Sequence, residues 1–181
     1  MKKLFWLSVG LTALWLGACS PSKKEDHATR EAMMLDSIRK AGPQRMQFSE
    51  VKSKVTFQGK TYESTVVRRP DESLPVVTNE QGESFMDNRI TLRLTQGGKV
   101  VLDKVFTKES FASLVNAKIL KYAILEGLVL DGATPQGIVY AASVGYPQTD
   151  LYVPLRITVS SNGKISLAKE ELMDDWHETE Q

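Results

Sequence analysis

An alternation of apolar and polar residues with a period of two, interrupted by short turns, runs through most of the chain from Val51 onward. Successive side chains of a β-strand point to opposite faces, so this period predicts strands with one buried and one solvated face. Turn signals separate the strands at Gln58-Gly59, Asn79–Gly82, Gln96-Gly97-Gly98, Gly132–Gln136 and Ser161-Asn162-Gly163. About eight strands joined in this way indicate a mainly β, antiparallel meander that forms a sandwich or a partly open barrel.

Two segments depart from the period of two and predict helices. Thr107 can cap a short helix that runs to Asn116 and is inserted between the strands. Ala28–Ala41 predicts a marginal N-terminal helix, which Gly42-Pro43 ends. The most apolar stretch, Ile119–Leu130, is predicted to be the central strand.

The chain divides into four segments. Residues 1–18 are a predicted signal peptide, and residues 19–50 hold a lipidated cysteine, a polar tether and the marginal helix. Residues 51–170 form the predicted β-rich domain, and residues 171–181 are an acidic tail. With 181 residues, 41% of them hydrophobic and 25% charged, the chain can form the core of one globular domain.

The N-terminal segment has the pattern of a lipoprotein signal peptide. Lys2-Lys3 precede the apolar run Leu4–Leu16, which is too short to span a bilayer and has the length of a signal-peptide core. The run ends in Leu16-Gly17-Ala18-Cys19, which resembles a lipobox. Cys19 is the only cysteine, and lipidation gives this lone thiol of an exported chain a role. The alternative is an ordinary signal peptide with a chance cysteine.

A lipid on Cys19 predicts attachment to the bacterial outer membrane. A diacylglycerol thioether and a further acyl chain such as palmitate supply the two or more chains that stable anchoring needs. Lys23–Asp26 partly resembles a surface-export signal, so a periplasm-facing and a surface location both stay open. The membrane is therefore one predicted partner, and an envelope protein or a small ligand is the other.

Charge and histidine content exclude several classes of function. Without Lys2 and Lys3, 21 basic residues face 22 acidic ones, which is not the composition of a nucleic-acid-binding protein. The two histidines, His27 and His177, fall in the tether and the tail, away from a preorganised site. A serine–histidine triad or a histidine-rich zinc site is not expected. We predict no catalytic residue, no metal ligand and no cofactor.

A small set of polar residues of the domain can face a ligand. Glu126, Asp131 and Asp150 lie on or beside the apolar strands, and a carboxylate pair can perform acid–base hydrolysis. Asp131 and Asp150 also fit turns. The ligand-facing candidates are Asp87, Asn88, Glu126, Tyr146, Asp150 and Tyr152.

Each of these candidates also has a structural interpretation. Asp87-Asn88 precedes a strand, where such side chains commonly bond the following backbone. Tyr140, Tyr146 and Tyr152 flank one loop and can line a sugar-binding face or sit half-buried in a sheet.

The mature chain resembles a domain-of-unknown-function family of uncharacterised lipoproteins from Bacteroides-type bacteria. The resemblance extends from about Val55 to Leu172 and rests on several short segments. These are Leu74–Val77, Phe85–Ile90, Phe106–Phe111, Tyr122–Gly127 and Ala142–Leu155, which contains Pro147 and Asp150. The resemblance implies a single-domain lipoprotein and no particular activity.

Three functions follow from these observations. The leading hypothesis is a membrane-anchored envelope lipoprotein that is a non-enzymatic binding or interaction module. The alternative is a carboxylate-dependent hydrolase of glycans or peptides that uses Glu126 or Asp150. The third is a closed barrel that carries an apolar ligand, which a core filled by Ile124, Leu128, Leu130 and Val139 would argue against.

Overall fold

A computed structural model describes residues 42–170 and five separate positions before them. These positions are helical, namely Arg30, Met33, Met34, Asp36 and Ser37. They fall within the predicted marginal helix, and Ser37 Oγ donates a hydrogen bond to the Met33 carbonyl at 2.9 Å. The predicted signal peptide, Cys19, the tether and the tail lie outside the described residues.

The described chain forms ten strands. In chain order they are β1 (Ser49–Phe57), β2 (Lys60–Pro70), β3 (Val77–Thr78), β4 (Ser84–Phe85), β5 (Asn88–Gln96), β6 (Lys99–Phe106), β7 (Ile124–Thr134), β8 (Gly137–Gly145), β9 (Tyr152–Val159) and β10 (Ile165–Lys169). One antiparallel sheet has the order β1-β2-β5-β6, and a second has the order β10-β9-β8-β7. The short β3 and β4 pair with each other.

The two four-stranded sheets share one core, to which strands such as β5, β8 and β9 contribute every second side chain. Ile90, Leu92 and Leu94 of β5 are fully buried, whereas Arg93 between them is exposed. The same alternation on β9 buries Val153, Leu155, Ile157 and Val159. Tyr140 of β8 crosses the core and donates a hydrogen bond from its hydroxyl to Ser64 Oγ of β2 at 2.9 Å.

The predicted mainly β, antiparallel architecture is confirmed, and its arrangement is that of a sandwich. Neither four-stranded sheet closes into a barrel within residues 42–170. Ile124, Leu128 and Val139 are buried and Leu130 is partly buried against the core, which argues against a carrier of an apolar ligand. In this part of the chain, no helix is long and apolar enough to cross a membrane.

Two hairpin turns form where the sequence predicts them. Phe57 pairs with Lys60 across Gln58-Gly59, and both turn residues have positive φ angles of 49° and 71°. Gly97 and Gly98 close the β5–β6 hairpin with φ angles of 54° and 79°. Two-residue turns of this kind match the right-handed twist of the strands they join.

The segment predicted as one helix from Thr107 to Asn116 contains only a 3-10 helix, for which Thr107 is the N-cap as predicted. Lys108–Phe111 forms a 3-10 helix, and the α-helix α1 spans Ala117–Tyr122. Asn116, predicted as the end of a helix, is instead the N-cap of α1, because its side-chain oxygen accepts a hydrogen bond from the Lys118 N–H at 2.8 Å. Asparagine is strongly preferred at an N-cap, so α1 begins after Asn116.

The segment predicted as the central strand is divided between α1 and β7. β7 begins only at Ile124 and lies at the edge of the second sheet, where β8 is its one paired neighbour. Its apolar character has a different origin, because β7 also packs against β1, β2 and β5 of the first sheet. The apolar composition of β7 therefore reflects burial between the two sheets and not a central position within one sheet.

Candidate functional site

Asp87 and Asn88 form a buried polar cluster with Lys108. Asp87 is 1% exposed, Asn88 is 0% exposed and Lys108 is 6% exposed. Asp87 Oδ1 accepts hydrogen bonds from the backbone N–H groups of Asn88 at 2.7 Å and Leu125 at 2.9 Å. The Lys108 ammonium lies 3.6 Å from Asp87 Oδ2 and donates a hydrogen bond to the Ala123 carbonyl at 2.8 Å.

The cluster makes its contacts within the interior of the protein. Asn88 Nδ2 donates hydrogen bonds to the Leu125 carbonyl at 2.9 Å and to Met46 Sδ at 3.1 Å. Burial raises the pKa of the Asp87 carboxyl, and the two backbone N–H groups and the Lys108 charge oppose that rise. The backbone-bonding role that the sequence suggests for Asp87 is therefore observed, across to a second strand as well as locally.

Glu126 is the one ligand-facing candidate that lies in an apolar cleft. The β7–β8 register passes from Leu125 to Gly127, so Glu126 is the extra residue of a β-bulge. Bulges re-aim side chains in this way. The glutamate cleft has a volume of about 210 Å³, and its lining is Gln44, Arg45, Met46, Phe85, Met86, Ile124, Glu126, Pro147 and Gln148.

Gly145 gives the Glu126 carboxylate its place. A Cβ on Gly145 would lie 2.6 Å from Glu126 Oε2 and 2.9 Å from the Tyr152 Cβ, closer than carbon atoms approach in proteins. The carboxylate therefore rests on a position that only glycine accommodates without a shift. Arg68 holds the backbone beside it, because Nη1 donates a hydrogen bond to the Glu126 carbonyl at 2.7 Å.

Burial makes the Glu126 carboxyl harder to ionise than a solvated one. Desolvation raises its pKa above the ordinary value of 4.5, and the positive charge of Arg68 offsets part of that rise. A carboxyl of this kind can donate or accept a proton near a bound molecule. Among the residues that line the glutamate cleft, Glu126 is the only carboxylate, so the cleft holds no carboxylate pair.

A second concave surface adjoins the glutamate cleft at Pro147. This lysine–tyrosine groove has a volume of about 650 Å³ and is formed by α1, the β3–β4 turn and the β8–β9 loop. Its lining is Asn79, Glu80, Gln81, Lys118, Lys121, Tyr122, Tyr146, Pro147, Thr149 and Leu151. The groove thus combines two lysines with one carboxylate, Glu80, and with aromatic and amide side chains.

Local hydrogen bonds hold the walls of the groove. The Tyr146 N–H donates to the Leu151 carbonyl at 2.9 Å, and Thr149 Oγ1 donates to the Tyr146 carbonyl at 3.0 Å. In the β3–β4 turn, Asn79 Oδ1 accepts a hydrogen bond from the Glu83 N–H at 2.9 Å. The loop and the turn therefore have defined shapes before any ligand is bound.

The groove presents positive charge beside aromatic and apolar surface. The Lys121 ammonium lies 4.9 Å from the centre of the Tyr122 ring, within the range of a cation–π contact. Lys118 and Lys121 are exposed and make no ion pair with a carboxylate of the described chain. Leu151 is 65% exposed at the opposite wall. An anion with an apolar or flat part matches this surface.

The other sequence candidates lie in three different settings. Tyr146 is half-buried in the lysine–tyrosine groove, and Tyr152 is 49% exposed at the start of β9. Asp150 is exposed in the β8–β9 loop and lines neither concave surface. Tyr140 is fully buried, so it cannot contribute to a sugar-binding face. The tyrosines therefore do not form a shared surface.

Sequence reasoning missed the cationic part of the groove. Lys118 and Lys121 are three residues apart, which places them on one face of a helix. This spacing is informative only on a helix, and the apolar residues from Ile119 onward predict a strand. The sequence predicts the turn Asn79–Gly82, but the approach of this turn to α1 is a long-range contact. Among residues 42–170, no group of three or more histidine, cysteine or acidic side chains could hold a metal ion.

Replacing Glu126 with glutamine is expected to stabilise the protein at neutral pH. The folded protein buries a charged carboxylate above its raised pKa, whereas the variant buries a neutral amide. The wild-type protein loses stability as the pH rises from about 4.5 through the raised pKa. The advantage of Glu126→Gln should therefore appear over that window and disappear below it. Urea unfolding at several pH values between about 4 and about 8 measures the difference in unfolding free energy between the variant and the wild type.

Asp150→Asn is the matched control, because it removes an exposed carboxylate from a neighbouring loop. It should leave the free energy of unfolding at neutral pH within about 0.5 kcal/mol of the wild-type value. A Glu126→Gln variant that is less stable than the wild type at neutral pH would contradict this interpretation. It would mean that the attraction of Arg68 outweighs the cost of burial.

Comparison with known proteins places this domain in a family. A search of curated proteins finds no match to the chain. The family model of DUF4738, a domain of unknown function, matches residues 28–167, which include all ten strands of the fold except the last two residues of β10. The chain therefore belongs to the DUF4738 family.

Proposed function

We propose that the protein is a lipid-anchored lipoprotein of the bacterial envelope, and that its β-domain binds a ligand in the lysine–tyrosine groove. The anchor is supported by the sequence alone. Lys2-Lys3, a short apolar run and Leu16-Gly17-Ala18-Cys19 have the order that lipoprotein processing requires. The resemblance to Bacteroides-type lipoproteins points in the same direction.

The composition of the groove is the observation that carries the binding role. Ligand sites are concave, largely formed in advance, and combine apolar surface with a few convergent polar groups. The groove has the volume of such a site, with two lysines, two tyrosines and an exposed leucine. Lysine ammonium groups attract an anion, and tyrosine rings stack on flat or apolar groups. The ligand we propose therefore carries negative charge and a ring or an apolar part.

Glu126 favours a second candidate function, a carboxylate-dependent hydrolase. Its carboxyl lies in an apolar cleft and has a raised pKa, as a general acid requires. Hydrolysis by a carboxylate pair needs a second group at roughly 5–9.5 Å from the first. Asp150 lies outside the glutamate cleft, and none of the other described residues that line it is acidic. Ligand binding therefore has the stronger support.

Anchoring is tested with the Cys19→Ala variant in living cells. The full-length protein should incorporate a metabolically supplied palmitate analogue and fractionate with the outer membrane. Cys19→Ala should lose the label and leave that fraction. Protease treatment of intact cells then decides between surface display and a periplasm-facing location. An unlabelled wild-type protein would overturn the proposed anchor.

The groove is tested by crosslinking the tagged, full-length protein in living cells and identifying what co-purifies. The wild type should retain a specific molecule, and Lys118→Glu/Lys121→Glu should lower its recovery roughly tenfold, since each exposed charge contributes a few-fold to affinity. Lys99→Glu/Lys104→Glu on β6 is the matched control and should recover the molecule as the wild type does. Equal recovery from all three proteins would exclude the groove as the binding site.

A further inference from the structure

The described chain leaves the domain beside the lysine–tyrosine groove. β10 runs antiparallel to β9, with Lys169 opposite Leu155. The Glu170 N–H donates a hydrogen bond to the Pro154 carbonyl at 3.0 Å, and the Glu170 carboxylate pairs with Arg156. A chain that leaves Glu170 in this direction heads toward the start of β9.

The groove lies within a short distance of that exit. Leu151, which lines the groove, precedes Pro154 by three residues, or about 10 Å of extended chain. Residues 171–181 can span up to about 36 Å, and Trp176 lies at most about 20 Å beyond Glu170. The tail therefore reaches the whole groove.

The tail and the groove have complementary chemistry. Residues 171–181 contain five acidic side chains and no lysine or arginine, namely Glu171, Asp174, Asp175, Glu178 and Glu180. Lys118 and Lys121 supply the opposite charge, outnumber the one carboxylate of the lining, Glu80, and have no carboxylate partner within the described chain. Trp176 stands within the acidic run and offers a flat, apolar ring to Tyr146 and the exposed Leu151.

We propose that the acidic tail, residues 171–181, docks in the lysine–tyrosine groove. Because the tail is part of the same chain, its effective concentration at the groove is in the millimolar range. Weak contacts are then enough to occupy the groove. An external anion that binds Lys118 and Lys121 competes with the tail for the same charges. Docking of the tail does not depend on the identity, or on the existence, of an external ligand.

Trp176 fluorescence tests the docking. In the full-length chain, Trp6→Phe and Trp15→Phe leave Trp176 as the only tryptophan. Its emission should lie at shorter wavelength, and acrylamide should quench it less, than in a free peptide of residues 171–181. Lys118→Glu/Lys121→Glu in the same background should return both values to those of the peptide, through a roughly tenfold fall in the docking equilibrium constant.

Two matched variants separate docking in the groove from a general effect of charge. Lys99→Glu/Lys104→Glu changes two exposed lysines of β6 and should leave Trp176 emission as it was. Adding Asp174→Lys/Asp175→Lys to Lys118→Glu/Lys121→Glu should restore the short-wavelength emission, because the charges are exchanged. Thermal melting checks that each variant is folded. Emission like that of the free peptide in the parent chain, or emission that the groove variants do not change, would overturn the proposal.

Discussion

The buried contact between Asp87 and Lys108 is the interaction on which the rest of the structure depends. Two opposite charges lie in an interior that would otherwise exclude them, 3.6 Å apart and almost without exposure. Burial of charge is costly unless the groups are paired and hydrogen-bonded. Here Asp87 receives two backbone N–H groups, and Lys108 donates to the Ala123 carbonyl. The pair thereby ties β5 and the 3-10 helix to the start of β7.

Both concave surfaces depend on this tie. Ala123, whose carbonyl binds Lys108, directly follows α1, which carries the two lysines of the lysine–tyrosine groove. Leu125, whose N–H binds Asp87, directly precedes the bulged Glu126 of the glutamate cleft. The backbone from Ala123 to Leu125 therefore connects α1 of the lysine–tyrosine groove to Glu126 of the glutamate cleft. A buried cluster thus positions both surfaces from within the core.

Much of the fold follows from local sequence. The alternation at Ile90, Leu92 and Leu94 and the two-residue turns depend on neighbouring residues, so strands and hairpins were predictable from the pattern. The bond from Asp87 to the next backbone N–H was predictable for the same reason. The position of α1 was not, because Asn116 fits both the end and the beginning of a helix. The apolar residues after it resemble a strand that is buried on both faces.

The candidate site was less predictable because it depends on contacts between distant segments. Glu126 was recognised as a carboxylate on an apolar strand, but its bulge and its place over Gly145 arise from pairing with β8. The lysines of α1 meet the β3–β4 turn and the β8–β9 loop only after both sheets have formed. The local sequence pattern does not predict contacts between such distant segments. Charge and aromatic content can be counted in a sequence, whereas their convergence in a groove requires the fold.

A double-mutant cycle on Asp87 and Lys108 tests the central claim most directly. Asp87→Asn and Lys108→Met each leave one buried charge without its partner, and each should lower the free energy of unfolding by about 3 kcal/mol. The double variant buries two neutral groups and should lose clearly less than the sum of the single losses. Urea unfolding of all four proteins measures the coupling. Additive losses, or a Lys108→Met protein as stable as the wild type, would show that the pair does not hold the sheets together.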